Sequence, residues 1–415
     1  MTAGSVRWWC AIVGAALCLL AGLPAAAAPQ IILPRTGIAA DEVAVLVNEN
    51  DPLSRQTAEY YVKARGIPRG NVIRLHFPPG QAVMPVEAFV EIKRQVDGAT
   101  PSHVQAYAVA WTEPYRVGCM SLTSALAFGY DERFCSTGCG RTAPSPYFDS
   151  PSHYPAADHG LRPAMMLAGR DFAGVKALID RGVGADASFP RGRAYLLNTP
   201  DHARSVRAAH FEETRRALEG IFPVTLLDTE AISGRSDVLF YFTGLQRVPH
   251  LETLRFLPGA LADHLTSFGG RLTDSGQMSI LSWLEAGATA SYGTVVEPCN
   301  HPQKFPLPAV AMLHYASGAT AIEAYWKSVA WPGEGVFVGE PLARPFAPTV
   351  RETAHGRFEL RIFAVRPGVV RLARAASPMG PYQAFGPAIA LRQGDNRLQL
   401  PIGGATGYVR LTFEG

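Results

Sequence analysis

The chain has 415 residues, of which 47% are hydrophobic and 18% charged, and its formal net charge is +3. That apolar content excludes a disordered chain. The small net charge, with no cluster of Lys and Arg, argues against nucleic acid as a partner, and the length leaves room for more than one domain.

Residues 1–9 contain one cation, Arg7, and no acid. An unbroken apolar run, AIVGAALCLLAGL, fills 11–23; Pro24 ends it and alanines occupy 25–28. A basic start, a short apolar core and small residues at the end predict a signal peptide over 1–28, cleaved after Ala27 or Ala28. The run is shorter than the roughly 20 residues that span a bilayer. Cys18 follows Leu17 rather than a small residue, which argues against lipidation. A periplasmic or secreted protein with no transmembrane anchor after cleavage is expected.

The next elements alternate. A strand is predicted over 43–47 (VAVLV), a helix over 52–65, a strand over 72–77, a helix over 86–96 and a strand over 104–111. Residues 112–160, rich in Pro, Ser, Gly, Tyr and Cys, read as a long irregular excursion. Strands follow at 164–168, 193–197, 224–228, 238–242, 288–295 and 335–339; helices follow at 172–181, 201–218, 277–286, 309–317 and 319–329. Continuous apolar strands separated by helices predict a doubly wound, mostly parallel α/β domain over 40–348. From about residue 351 the period changes to two, in 358–365, 368–373, 388–392, 396–401 and 407–413. That predicts a small antiparallel, β-sandwich-like domain over 351–415.

Two of the six cysteines, Cys10 and Cys18, leave with the leader; Cys119, Cys135, Cys139 and Cys299 stay. In an oxidising compartment four cysteines allow two disulfides, with three connectivities open. At least one bridge is expected within Cys119, Cys135 and Cys139. His153 and His159 follow Cys135 and Cys139 at spacings unlike those of zinc sites, so no metal is expected.

Ligands of doubly wound sheets sit beyond the carboxyl ends of the strands. Asn48, Asn50, Asp51, Thr112, Glu113, Arg170, Asp171, Thr243, Glu297 and Cys299 all follow predicted strands and are expected to line one pocket. The competing reading is that strand ends are polar anyway and that Asp171 caps a helix. His264 with Ser267, and Cys299 with His301, are candidate nucleophile pairs, because a thiol or hydroxyl needs a neighbouring base; the alternative is a hydrogen-bonded structural His. No G-x-G-x-x-G follows a strand, and G-x4-G-K-[ST], G-x-S-x-G and H-E-x-x-H are absent. No cofactor is therefore expected.

Several stretches resemble an uncharacterised family of exported bacterial proteins. They are GALADHLTSFGG (259–270), AGAT (286–289), GTVVEP (293–298) and GEPLARP (339–345), together with Asn48 and AEYYVKARGIPRGNV (58–72). The order of a strand ending in Thr-Gly, a polar segment, an Ala-Gly-Ala strand, a helix pair and Gly-Glu-Pro also resembles the caspase-like cysteine peptidases of the gingipain type. In those, one strand ends in Gly-His and a later one in Ala-Cys. Here Thr243-Gly244-Leu245 and Leu265-Thr266-Ser267-Phe268 occupy these places. The resemblance implies a caspase-like domain with both catalytic positions changed, with His250 the one histidine nearby that could substitute. The expected function is therefore non-catalytic binding in the cell envelope, with a protein or glycan partner met through the C-terminal domain. The alternative is a hydrolase acting on peptide or glycan through Cys299, His264 or Ser267 with Glu297.

Overall fold

The computed structural model describes residues 1–2, 29–135, 138–354, 356–403 and 406–415; the expected leader, beyond its first two residues, lies outside them. Ten strands form the central sheet: β1 (Val43–Asn48), β2 (Val72–Leu75), β3 (Ala106–Val109), β4 (Ala164–Met166), β5 (Arg193–Asn198), β6 (Val224–Asp228), β7 (Val238–Gly244), β8 (Phe256–Leu265), β9 (Ala290–Thr294) and β10 (Gly335–Gly339). Their order across the sheet is β6-β5-β7-β8-β9-β10-β4-β3-β1-β2. In β1 every residue is buried, and successive side chains enter two different cores: Val43, Val45 and Val47 one, Ala44 and Leu46 the other. That alternation on a strand apolar from Val43 to Val47 is the mark of a sheet covered on both faces. Helices Pro52–Arg65, Pro308–Ala316 and Ala321–Ser328 cover the first face; Val86–Ala99 and Leu281–Ala286 cover the second. Local chemistry sets the ends of these helices. Asp51 accepts from the Leu53 N–H ahead of Pro52, and Gly66 closes the same helix with φ of 65°.

One pair breaks the parallel pattern. β9 and β10 run antiparallel, while β10, β4, β3, β1 and β2 are mutually parallel, as are β6, β5, β7, β8 and β9. The sheet is thus two parallel halves of opposite direction, joined at β9/β10. The carboxyl ends of β1, β3 and β4 lie at one edge, and those of β7, β8 and β9 at the other.

Some elements differ from expectation for local reasons. The helix expected over 201–218 is reduced to a 3-10 turn, Val206–His210, and a helix, Phe211–Ala217. Ahead of them Asp201 takes the N–H groups of Arg204 and Ser205 into a turn of its own. The helix expected over 277–286 begins only at Leu281, because Gln277 and Ser279 are bonded to the loop before it. The ten-residue strand β8 was not anticipated: Pro258, Gly259, Asp263 and His264 interrupt its apolar run. The excursion over 112–160 is not structureless. It holds helix Leu122–Phe128, capped by Ser121, and helix Pro155–His159. Two disulfides hold it, Cys119–Cys135 and Cys139–Cys299, with Cα–Cα distances of 5.8 and 5.4 Å.

Beyond the main sheet, Thr349–Ala354, Arg357–Ala364 and Gly394–Leu400 form one small antiparallel sheet, and Gly368–Ala375 with Tyr408–Glu414 centre another. Phe358, Leu360 and Ile362 from the first share a core with Val370, Leu372, Val409 and Leu411 from the second. Gln30–Ile32, from the start of the chain, adds to the second sheet in parallel with Tyr408 to Arg410. No helix among the described residues is long and apolar enough to cross a membrane.

Candidate functional site

The reversal at β9/β10 separates the residues expected to share one pocket. At the first edge each has a local task. The buried Asn48 side chain donates to the Phe77 carbonyl at 3.1 Å and accepts from the N–H groups of Asn50 and Phe77. Asn50 donates to the same carbonyl at 3.3 Å. Thr112 bonds the Gly169 backbone through its hydroxyl, Arg170 pairs with Glu285 at the surface, and Asp171 caps a helix through the Gly174 N–H. Glu113 accepts from the Thr273 hydroxyl. These contacts fix loops, and none of these residues lines the cleft at the other edge.

The second edge does gather several candidates. Arg204, Leu265, Thr266, Ser267, Glu297 and Cys299 line a cleft of about 270 Å³ beyond β7, β8 and β9. β7 and β8 end side by side, with Thr243 beside His264 and Gly244 beside Leu265. The turn carrying Arg204 lies on Gly244, where an added Cβ would sit 1.8 Å from the Arg204 carbonyl oxygen; only glycine lets this turn approach. The Thr266 hydroxyl accepts from Arg204 Nε at 3.0 Å and donates to Gln277 Oε1 at 2.8 Å. Gln277 Oε1 also accepts from the Phe268 N–H, and the Thr294 hydroxyl donates to the carbonyls of Thr266 and Ser267. The backbone at Ser267 is therefore clamped, while its half-buried hydroxyl makes no hydrogen bond among the described residues.

Across the cleft, exposed Glu297 accepts from the Cys299 N–H at 2.8 Å. Cys299 has φ of 54°, a left-handed conformation unusual for a residue with a Cβ, in the turn that its bridge to Cys139 holds. Arg204 Nη1 pairs with Asp201 at 2.7 Å. The cleft thus offers a guanidinium, a carboxylate and a hydroxyl, with a disulfide on its wall.

His264 stands apart from these groups. It is fully buried, and its Nδ1 lies 2.9 Å from the Trp283 indole nitrogen. An indole N–H only donates, so Nδ1 is the acceptor and the proton sits on Nε2, which donates to the Met278 carbonyl at 3.2 Å. Burial drives the His264 pKa down to about 3, against a smaller upward pull from the Met278 carbonyl. Both ring nitrogens are occupied and the neutral form is locked in. His301 is no closer to the chemistry: it bonds the Cys139 carbonyl at 2.8 Å and packs against Trp331. His250 sits outside the cleft, in a left-handed turn whose carbonyl accepts from Thr253.

The locked His264 has a measurable consequence. Its folded pKa lies below the unfolded value near 6.5, so the unfolded chain binds the proton first. The stability contributed by neutral His264 is complete above about pH 6.5 and falls as pH drops toward 3, at about 1.4 kcal/mol per pH unit. His264→Gln, which can donate to Met278 and accept from Trp283 without titrating, is expected to take this contribution out of the pH dependence of stability, changing its slope by that amount. Urea unfolding at a series of pH values from 4 to 7 measures it; equal slopes in the two proteins would contradict the assignment.

Sequence reading missed Arg204, Thr266, Gln277 and a buried ion pair behind the cleft. Arg207 Nη1 meets Asp263 Oδ1 at 2.7 Å, and both side chains are buried. Arg207 also donates to the carbonyls of Thr243 (2.7 Å) and Pro306 (3.1 Å). Burial raises the Asp263 pKa to about 6, while Arg207 pulls it back. A lone Arg in a polar segment gave no signal, since its partner comes from a distant strand.

No protein-family model matches the chain, and no curated protein matches it. Two solved structures overlap with it loosely. A chain described as "Structure of Protease" has 10% identity and a TM-score of 0.45, over 88% of this chain and 98% of its own. A complex of the Porphyromonas gingivalis RgpB pro- and mature domains has 11% identity and a TM-score of 0.37, over 90% and 97%. Overlaps this loose say nothing about the chemistry of this chain.

Proposed function

We propose that this chain is an exported cell-envelope protein whose cleft beyond β7, β8 and β9 binds a polar ligand without breaking a covalent bond, a caspase-like domain that has lost its catalytic pair. One observation carries the reading: the histidine adjoining Leu265 of the cleft and the cysteine on its wall are both committed to other partners. His264 spends both nitrogens on Trp283 and Met278, and Cys299 is bridged to Cys139. A Ser hydroxyl needs an adjacent base to attack, and no imidazole or thiolate lines the cleft beside Ser267.

The remaining groups suit recognition. The Arg204 guanidinium favours a carboxylate or another anion, Glu297 favours an amine or hydroxyl, and Ser267 serves either. That combination matches short peptides and glycans of the envelope. Two disulfides accord with an oxidising compartment.

The test is direct. Mature protein is incubated with a fluorophosphonate, with a thiol alkylator lacking reductant, and with Arg- and Lys-containing reporter peptides. Neither label is expected to attach and no peptide is expected to be cleaved. Turnover that vanishes in Ser267→Ala or Glu297→Gln would replace the binding reading with a hydrolase.

A further inference from the structure

The central sheet ends at β2, whose outer edge pairs with no strand among the described residues. The Leu75 carbonyl accepts from the Glu49 N–H at 2.8 Å, so the peptide groups of Leu75 face inward, toward β1. Peptide groups alternate in direction along a parallel ladder, which turns the N–H and C=O of Arg74 and the C=O of Val72 outward; the Val72 N–H already donates to the Arg69 carbonyl. An edge of this kind is a template for another strand.

Beside the edge lies a groove of about 910 Å³ between β2 and the helix Pro52–Arg65. Its floor is apolar, made by Val47, Ala58, Val62, Ile67 and Val72. Its rim is cationic: Arg55, Lys63, Arg69 and Arg74 are exposed, against one acid, Glu59. Arg74 is neutralised by Glu49, and Arg55 donates to the Glu49 carbonyl rather than to a carboxylate. Nothing in the proposed ligand cleft requires this arrangement, which lies at the far end of the sheet from β7, β8 and β9.

We propose that β2 receives an extended acidic segment of another polypeptide as an added strand. Such a segment uses all three features at once. Its backbone pairs with Arg74 and the Val72 carbonyl, and the side chains on its groove face, every second residue, place apolar groups over the floor and carboxylates against the rim. An anionic lipid would use the floor and rim but leave the outward peptide groups unpaired, so the polypeptide is the occupant that the edge favours. The recognised sequence is therefore one whose groove-facing positions, every second residue, combine small apolar residues with Glu or Asp.

The probe is a fluorescein-labelled heptapeptide, Val-Ser-Glu-Ser-Val-Ser-Glu, whose Val and Glu side chains share one face of a strand, titrated against the mature protein by anisotropy, with the same peptide carrying Lys in place of Glu as its control. Saturable binding of the Glu peptide is expected, about tenfold or more tighter than that of the Lys peptide. Lys63→Glu with Arg69→Glu, both at exposed positions, is expected to weaken it by about tenfold. Arg74→Pro removes an outward N–H and is expected to weaken it to a similar degree, with the circular dichroism spectrum unchanged. Three results would each overturn the proposal: equal binding of the two peptides, affinity untouched by the double charge reversal, or failure of the Glu peptide to bind at all. Sedimentation with phosphatidylglycerol vesicles that the Glu peptide does not compete would also overturn it, in favour of a membrane surface.

Discussion

Replacing Cys139 and Cys299 together by Ser is expected to lower stability by about 5 kcal/mol in oxidising buffer. The bridge joins residues 160 apart in sequence, whereas Cys119 and Cys135 are only 16 apart. Cross-linking restricts the unfolded chain more the longer the loop it closes, so Cys119→Ser with Cys135→Ser is expected to cost less, about 3 kcal/mol. The long bridge also fixes the left-handed turn at Cys299 on the wall of the cleft. Its loss is therefore expected to weaken ligand binding as well as folding, whereas loss of the short bridge, whose cysteines do not line the cleft, is expected to affect folding alone. Urea unfolding of the two double variants checks the order. A smaller loss for the long bridge than for the short one would contradict the account.

Arg207→Met is expected to cost about 3–5 kcal/mol, because it strands Asp263 in the interior and strips donors from the Thr243 and Pro306 carbonyls. The pair itself is an expensive device: burial lifts Asp263 to about pH 6 even with Arg207 beside it. Its folded pKa is above the unfolded value near 3.9, so this group's contribution is complete below about pH 4 and is lost as pH rises through 6. That runs opposite to the contribution of His264, one residue along β8 on the other face, and the two offset each other between about pH 4 and 6. Substituting both partners, Arg207→Met with Asp263→Leu, is expected to recover most of the stability lost in the single variant. It should also leave the His264 slope unopposed. A double variant as unstable as Arg207→Met alone would show that the carbonyl bonds, rather than the stranded charge, hold this part of the core.

The sequence made the two-sided sheet legible because strands such as β1 and β3 are apolar on both faces, and only burial on both faces permits that. It did not disclose the direction of β10. An apolar run reads the same either way, and what inserts β10 antiparallel to β9 is the return path of the helices Pro308–Ala316 and Ala321–Ser328. The same reversal explains why the expected single pocket is divided. Asn48 ends β1, and Glu113 and Asp171 come after β3 and β4, but those strands end at the edge opposite to Glu297 and Cys299. Strand β8 was hidden by its own buried polar residues, Asp263 and His264, whose partners Arg207, Trp283 and Met278 come from elsewhere in the chain. Ser267, Glu297 and Cys299 were legible as strand-end residues. Arg204 was not, since only folding brings its turn onto Gly244.

The central claim is that no imidazole is available to activate Ser267. The most direct measurement is the ¹⁵N chemical shift of both His264 ring nitrogens, followed by nuclear magnetic resonance from pH 8 to pH 4. A single neutral form protonated at Nε2, with no titration across that range, is expected. Titration of His264 near pH 6.5, or a proton found on Nδ1, would contradict it and return the histidine to the list of usable bases.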